Sequence, residues 1–453
     1  MQKDLTKGSV LKVLIQFSLP YLLSCFLQTF YGLADLFITG QFNGAGPISA
    51  VSIGSQVMHM ITVIIVGLAM GTTVMISQAV GEKNSRKAGR CVGNTITLFL
   101  IFSIALTVGL LLTVDGILTL IAVPPEAIEQ TRIYLVICFA GIPFITAYNI
   151  ISCIFRGMGD SKSPLYFIAV ACVLNIALDF LFIGGCGMGA AGAALGTVLA
   201  QSASVVVALL AIRRKRFGLA VSVKDLRPDG ASMGGILRIG LPIAFQDGFI
   251  QVSFMIITII ANHRGVVAAA SVGIVEKLIS FVFLVPSAML SSISSIGAQN
   301  VGAGKYRRAT QALGYGVAIS VGFGAVVAVI CQLVPSQILA LFTDETEVIR
   351  MGSQYLRSYI FDCMAAGIHF CFSGYFCAYG YSGLSFIQNL ASIVLVRVPG
   401  AYLASKLFPD TLLPMGMAAP LGSLLSALIC VTFFVWKKKQ FLPGESEQGP
   451  AYL

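Results

Sequence analysis

Long apolar stretches alternate with short polar loops along almost the whole chain. Most of these stretches hold 20 or more residues with few charges, which is enough for an α-helix to cross the ~30 Å hydrocarbon layer of a membrane. The pattern therefore predicts twelve transmembrane helices. The first six cover residues 11–38, 48–79, 92–122, 133–155, 164–185 and 188–212, and the last six cover 236–261, 266–298, 310–334, 347–379, 384–406 and 411–436.

The two halves of the chain repeat one another at an offset of about 221 residues. The loop from Gln78 to Ala88 shares its Gln, Val, Gly, basic pair and Ala with the loop from Gln299 to Ala309. Two further landmarks keep this register: Leu19-Pro20 matches Leu241-Pro242, and Phe155, Gly159 and Ser161 match Phe376, Gly380 and Ser382. Six helices per copy is an even number, so both copies should have the same orientation in the membrane.

These features predict an all-α integral membrane protein with two parallel six-helix repeats that form two lobes. We expect an N-terminal lobe over residues 1–212, a basic cytoplasmic linker over 213–235 and a C-terminal lobe over 236–453. The substrate path is expected between the lobes.

Composition and charge support a membrane location. Hydrophobic residues make up 57% of the chain and charged residues 11%. A chain of this composition could not bury all of its apolar surface inside the core of a soluble protein. The net charge of +10 could suggest nucleic acid, but the basic residues cluster in alternate loops, as the positive-inside rule describes. We therefore expect both termini in the cytoplasm and no nucleic-acid partner. The clusters lie at residues 83–90, 156–162, 213–216, 305–308 and 437–439.

Two carboxylates lie inside predicted helices of the first copy. Placing an ionisable group there costs at least ~2.5 kcal/mol, so such residues commonly serve transport, proton relay or structural pairing. Asp35 shares one face of the first helix with Gln28 and Tyr31, and Asp179 follows Asn175 by one turn in the fifth. At 1.5 Å rise per residue both fall in the outer half of the bilayer and could share one cavity. There they could exchange a proton, hold a sodium ion or join helices by hydrogen bonds.

The second copy lacks these acids. The positions matching Asp35 and Asp179 are Ile256 or Ile257 and Gly400. This asymmetry marks the first lobe as the ion-coupling half.

The acids of the second copy fall where the first is uncharged, at Asp247, Glu276 and Asp362. Glu276 stands beside Lys277, which is compatible with a neutralised structural pair. Asp362 and His369 are seven residues apart, on nearly one face of the tenth helix, where either a coupling role or simple packing is open. Whether these acids take part in coupling is not decided by the sequence.

Other features admit simpler interpretations. Pro20 and Pro242 lie inside the first and seventh helices, where each predicts a kink, either fixed or part of a gate. Gly157-Met-Gly-Asp160 spells a motif of intramembrane aspartyl proteases, but it falls in a predicted cytoplasmic loop without a second matching Asp motif. We therefore expect no enzyme. The eleven cysteines lie mostly in apolar runs, and no Cys/His spacing suggests a zinc site.

Taken together, the chain resembles the multidrug and toxic compound extrusion (MATE) family of secondary transporters. The resemblance rests on the paired loops at Gln78 and Gln299, on the stretch from Arg156 to Pro164, and on Asn175-x-x-x-Asp179. It implies two six-helix lobes and efflux of amphipathic, cationic compounds driven by proton or sodium antiport, with no cofactor. By residue match it assigns ion coupling to Asp35, Asn175 and Asp179, with Tyr31, Tyr134 and Thr197 as neighbours.

The remaining expectations concern substrate and setting. Ser152 stands where some family members carry Asn, and the seventh helix offers Gln246 and Gln251 but no Glu. Candidate substrate-cavity residues are Gln28, Asn149, Ser152, Gln246, Gln251, Asp362 and His369. A related two-lobe flippase for lipid-linked precursors is the alternative, and it would need deeply placed cations such as Lys277 and Arg397. We expect a monomer in the bacterial plasma membrane that contacts lipids and amphipathic small molecules.

Overall fold

The computed structural model describes residues 4–214 and 222–442, and within these ranges the regular structure is helical. The first half contains α1 to α7: Val10–Phe42, Ala45–Gly81, Ser85–Leu120, Ile128–Ala140, Ile142–Gly157, Lys162–Asp179 and Gly189–Arg214. The second half contains α8 to α18: Gly230–Asn262, Val266–Val282, Leu284–Gly302, Tyr306–Leu333, Pro335–Ala340, Thr346–Tyr359, Asp362–Ala378, Ser382–Ser392, Val398–Leu407, Leu413–Trp436 and Lys438–Phe441.

Ten helical spans in the described ranges are long and apolar enough to cross a membrane. Two further spans are bent: the pair ending in α5 bends by 50° and the pair α13 and α14 by 40°. If each bent pair is one span the total is twelve, in agreement with the predicted number. The first bend has a local cause, since Gly141 packs against Val198 of α7 without room for a side chain, and a proline then opens α5.

The internal repeat is visible in the backbone. Lys83 and Gly304, which align in the two copies, both have left-handed φ angles, of 56° and 70°. Hydrogen bonds repeat as well. The hydroxyl of Thr73 donates to the carbonyl of Cys153 at 3.2 Å, and at the matching positions Ser294 donates to Gly374 at 3.2 Å. The two copies therefore share loop geometry and an interhelical contact.

One compact unit comprises Leu19–Gly240 and, from the start of the described chain, Asp4. Its core is formed where α2, α4, α5 and α7 pack together. Very close helix contacts occur at glycines: at Gly71 and Gly240 a side chain would meet the backbone carbonyl of Ile236 and of Leu68, respectively. Residues 215–221 of the predicted linker lie outside the described part, while its 3₁₀ turn Val223–Leu226 packs on α3.

The other unit comprises Leu5–Ser18 and the chain from Leu241 onward. Helix α14 is central, with α10, α11 and α17 packed around it. The repeated loop after α10 holds the segment before α1: Leu5 N–H donates to Gln299 Oε1 at 3.1 Å, and Lys305 Nζ donates to the Thr6 carbonyl at 2.8 Å. This gives a structural role to one of the loops from which the repeat was recognised.

The division between the units falls inside two helices. In α1 it lies between Ser18 and Leu19, and in α8 between Gly240 and Leu241. Each break comes just before a helix-interior proline, Pro20 or Pro242. The lobe boundaries drawn from sequence at 212 and 236 stay a prediction.

Candidate functional site

The first unit holds two buried carboxyl groups next to each other. Asp35 lies on α1, and Asn175 and Asp179 lie on α6; all three are at most 3% exposed. Asp35 interacts with both Asp179 and Asn175. The structure thus brings together the three residues that the sequence selected for ion coupling.

Helix α7 completes this cluster from the other side. Thr197 Oγ1 donates to Asp35 Oδ2 at 3.1 Å. Its neighbour Gly196 faces Asp179: a Cβ there would lie closer than 3.0 Å to Asp179 Oδ1. Only a residue without a side chain leaves the Asp179 carboxylate in its observed position. The importance of Gly196 could not be recognised in the sequence, where it is one of several small residues of α7.

Most polar atoms of the cluster have no hydrogen-bond partner. These atoms are Asp35 Oδ1, both carboxylate oxygens of Asp179 and both side-chain polar atoms of Asn175. Within the described chain, no lysine or arginine forms an ion pair with either carboxylate. Buried polar groups are normally satisfied, and a buried charge without a partner is costly. The arrangement can therefore accept a positive charge.

Tyrosines flank the cluster as expected, and one glutamine was missed. Tyr31 OH accepts a hydrogen bond from Gln201 Nε2 at 3.1 Å. Gln201 is one turn after Thr197 on α7, and this spacing could have pointed to it. Tyr134 is buried on α4 against Gly54 of α2, where a side chain would collide with its ring.

A helical break adjoins the cluster. Asp179 is the last residue of α6, and a π-helical segment, Phe180–Gly185, follows it directly. Such segments are rare and are often found at functional sites. Asp179 therefore lies where the regular backbone hydrogen bonding changes.

The predicted substrate-cavity residues are divided between the units. The first unit contains Gln28, Asn149 and Ser152, of which Asn149 donates to the carbonyl of Ile145 at 2.8 Å. Ser152 is buried and its hydroxyl lacks a partner. The second unit contains Gln246, Gln251, Asp362 and His369.

The acids of the second unit have partners other than those suggested by the sequence. Asp362 accepts a hydrogen bond from Arg397 at 3.1 Å in a buried ion pair. Glu276 lies against Thr258 of α8, whereas Lys277 is exposed, so the suggested Glu276–Lys277 pair does not form. The Asp362–Arg397 pair was missed because the two residues are 35 positions apart and on different spans.

One loop assignment changes, and one loop residue gains a structural role. Arg156, which the charge pattern placed in a cytoplasmic loop, lies in α5 and is 7% exposed, with its guanidinium over the Tyr21 ring at 4.8 Å. Asp160 lies just before α6, where its carboxylate accepts from the backbone N–H of Lys162 and Ser163 at 3.0 Å. It has the role of a helix cap, which removes the resemblance to a protease motif.

An all-helical chain with two repeated units, up to twelve spans and buried carboxylates without counter-charges has the features of a multi-pass membrane transporter. A family model settles which kind: MatE matches residues 20–181 and again 242–403. The chain belongs to the MatE family. The resemblance, the fold class and the prediction that it is not an enzyme are confirmed.

Individual relatives align over nearly their full length. The probable multidrug resistance protein YoeA of Bacillus subtilis is 28% identical over 445 residues, which cover 96% of each chain. The multidrug export protein MepA of Staphylococcus aureus is 24% identical and covers 93% of this chain and 91% of its own. A solved outward-facing structure of a multidrug resistance MATE family transporter has a TM-score of 0.90 at 22% identity over 97% of this chain.

Proposed function

We propose that this protein is a secondary active efflux transporter that exports amphipathic, cationic small molecules from a bacterial cell in exchange for protons or sodium ions. Membership of the MatE family and similarity to relatives named for multidrug resistance and export support efflux. In this proposal it lies in the plasma membrane as a monomer with both termini in the cytoplasm.

The coupling site is the Asp35, Asn175 and Asp179 cluster of the first unit. The observation that carries this assignment is the set of unsatisfied oxygens on two adjacent buried carboxyl groups without a basic partner. Two such groups cannot both stay ionised in a medium of low dielectric constant unless a cation binds. The site must therefore gain a positive charge when it is closed to water and can release it when it opens.

The donor atoms fit either ion. Carboxylate, amide and hydroxyl oxygens from Asp35, Asp179, Asn175 and Thr197 are ligands that a hard cation prefers, and a single proton shared by the two carboxyl groups would equally remove the excess charge. Tyr31 and Tyr134 flank these residues and limit access of water.

The structure does not favour the flippase alternative. That activity would need free, deeply placed cations for a pyrophosphate group. Arg397 is buried and neutralised by Asp362, so of the two cations selected for this role only the exposed Lys277 remains, and a single ammonium group is a poor match for a pyrophosphate.

Gradient-driven transport in proteoliposomes tests the proposal. Purified protein is reconstituted with a fluorescent cationic dye, and a pH gradient or a sodium gradient is imposed separately at zero membrane potential. We expect one gradient to drive dye transport in the wild type and neither to do so in Asp35→Asn or Asp179→Asn. The exposed, loop-borne Asp344→Asn is the matched control and should transport normally. Equal gradient-driven transport by all variants would refute the assignment.

A further inference from the structure

The second unit contains its own buried charged cluster, separate from the coupling site. Arg397 donates to Asp362 Oδ2 at 3.1 Å and to the Tyr359 hydroxyl at 2.8 Å, and its guanidinium lies over the Phe254 ring at 5.1 Å. Glu276 is close enough to Arg397 to be attracted by its charge. These groups come from five different helical segments and meet within the core of this unit.

The charges of this cluster do not balance. Arg397 neutralises Asp362, with which it is paired, so Glu276 is left as the additional acid. Glu276 Oε1 is buried and has no hydrogen-bond partner, and the same is true of Asp362 Oδ1 and Arg397 Nε. With both acids ionised the cluster would carry one net negative charge in a low-dielectric core, which is unfavourable.

Thr258 shows how the excess charge is removed. Its Oγ1 lies 3.0 Å from the carbonyl oxygen of Phe254 and 3.1 Å from Glu276 Oε2. A threonine hydroxyl has a single hydrogen, and the carbonyl can only accept. An ionised Glu276 would have to share this hydrogen with the Phe254 carbonyl, whereas a protonated Glu276 can donate to Thr258, which then donates to Phe254, so that both contacts are full hydrogen bonds.

The backbone at this cluster is irregular in the same way as at the coupling site. Arg397 ends a π-helical segment, Ile393–Arg397, that lies between α15 and α16. In the first unit the π-helical segment Phe180–Gly185 begins directly after Asp179. Each unit thus places an ionisable side chain at a π-helical break in its fifth span, although the residues involved do not align in the repeat.

We propose that Glu276 is a second proton-binding site and that Arg397 changes its carboxylate partner with the charge of Glu276. When Glu276 holds a proton, Arg397 pairs with Asp362 as observed. When the proton leaves through the partly exposed side of Glu276, the ionised carboxylate attracts Arg397, whose Nε is free to donate. Asp362 then shares or loses its partner, so the contact between α14 and the π-helical segment weakens.

The groups that interact with this cluster come from several packed helices. They are Phe254 and Thr258 on α8, Tyr355 and Tyr359 on α13, Asp362 and His369 on α14, and Ser423 on α17. Among the described residues Arg397 is the only basic group in an ion pair with the site. Removing Glu276 should therefore abolish proton exchange here without exposing another titrating acid.

Infrared difference spectroscopy tests the proposal without depending on transport. The full-length protein with Asp35→Asn, Asp179→Asn and Asp247→Asn is reconstituted, so that the carboxyl groups of the coupling site and of Asp247 on α8 are silent, and spectra are recorded between acidic and alkaline pH. We expect a carboxylic C=O band from a buried acid that disappears in Glu276→Gln. The exposed Glu345→Gln is the matched control and should leave this band unchanged.

Two further variants separate a proton site from a merely structural residue. Thr258→Val removes the hydrogen-bond partner of the Glu276 carboxyl group and should shift its C=O band to a higher wavenumber. Arg397→Gln leaves Asp362 without a counter-charge and should add a second carboxylic band. If Arg397→Gln does not fold, the Thr258→Val shift decides. The proposal would be overturned if the carboxylic band survived Glu276→Gln, or if the protein with the other acids replaced by Asn showed no buried-acid band. Either result would stand whatever the outcome for transport coupling in the first unit.

Discussion

Gly196 offers a way to move a coupling carboxylate without removing it. In Gly196→Ala the added Cβ would lie less than 3.0 Å from Asp179 Oδ1, whereas ordinary van der Waals contact begins at about 3.4 Å. The Asp179 carboxylate must therefore move away by roughly half an ångström or more. A displacement of about this size is the largest that a preorganised site tolerates in its functional groups. Because the colliding atom is the end of a side chain, it can yield without backbone movement.

The expected effects on stability and on transport have opposite signs. Alanine in place of glycine inside a helix contributes up to about 1 kcal/mol of stability, so the variant should fold and unfold at a similar or higher temperature. Displacement of a reacting group by ~1 Å can cost as much as 100-fold, so we expect gradient-driven dye transport to fall by about tenfold or more.

The assay is dye transport in proteoliposomes together with thermal unfolding of the same preparation. Gly109→Ala is the matched control, because Gly109 lies inside α3 of the same unit with open space around its Cα. It should keep full transport. Wild-type transport by Gly196→Ala would show that the position of the Asp179 carboxylate is not critical.

Three further outcomes are expected. Thr197→Val removes the donor to Asp35, and because a hydrogen bond to a charged group contributes ~1.5–3 kcal/mol, ion affinity measured by transport should fall by about tenfold or more; unchanged affinity would exclude this contact from the site. Arg397→Met leaves Asp362 buried and unpaired and should lower the free energy of unfolding by ~3–5 kcal/mol. The double variant Arg397→Met/Asp362→Leu should recover much of this loss. Equal stability of the single and the double variant would contradict a stabilising role of the pair. The Ser232 hydroxyl donates to Asp229 at 2.6 Å and lowers the pKa of Asp229. This cap at the start of α8 should therefore stabilise the protein at neutral pH, and the stabilisation should be lost as the pH falls through the lowered pKa. In Asp229→Asn the unfolding temperature should depend less on pH in the acidic range.

The fold could be predicted from the sequence because a membrane restricts what an apolar chain can do. Backbone groups in lipid must be satisfied within a helix, so span positions follow from hydropathy alone. The repeat then gave the division into two similar halves, and Lys83 and Gly304 show that it extends to backbone angles. Bends between paired helices were not predicted, since they depend on contacts such as Gly141 with Val198.

The candidate site was only partly accessible. Asp35, Asn175 and Asp179 are conspicuous because polar residues in apolar spans are costly. Gly196 and Arg397 act through contacts with residues 17 and 35 positions away, and no local pattern encodes such distances. Arg156 was misplaced because a basic residue at the end of an apolar run is usually in a loop, whereas here its guanidinium packs on the Tyr21 ring.

The two loops that revealed the repeat also make different contacts, which their sequences did not predict. Their shared residues predicted a common architecture, yet the partners differ. In the first copy Asn84 caps α3 by accepting from Lys87 N–H at 2.9 Å, whereas in the second copy Lys305 binds the chain before α1. Similar sequence in a repeat thus predicts similar backbone, but not the same interactions.

Ion movement induced by substrate reports directly on the carboxylates of the first unit. Proteoliposomes are loaded with protons or sodium ions at equilibrium, a cationic substrate is added to one side, and ion flux is followed with an ion-sensitive dye. We expect wild-type protein to release the coupling ion when substrate is added. The double variant Asp35→Asn/Asp179→Asn, folded as judged by thermal unfolding, should release none. Undiminished ion release by this double variant would contradict the assignment of coupling to the first unit.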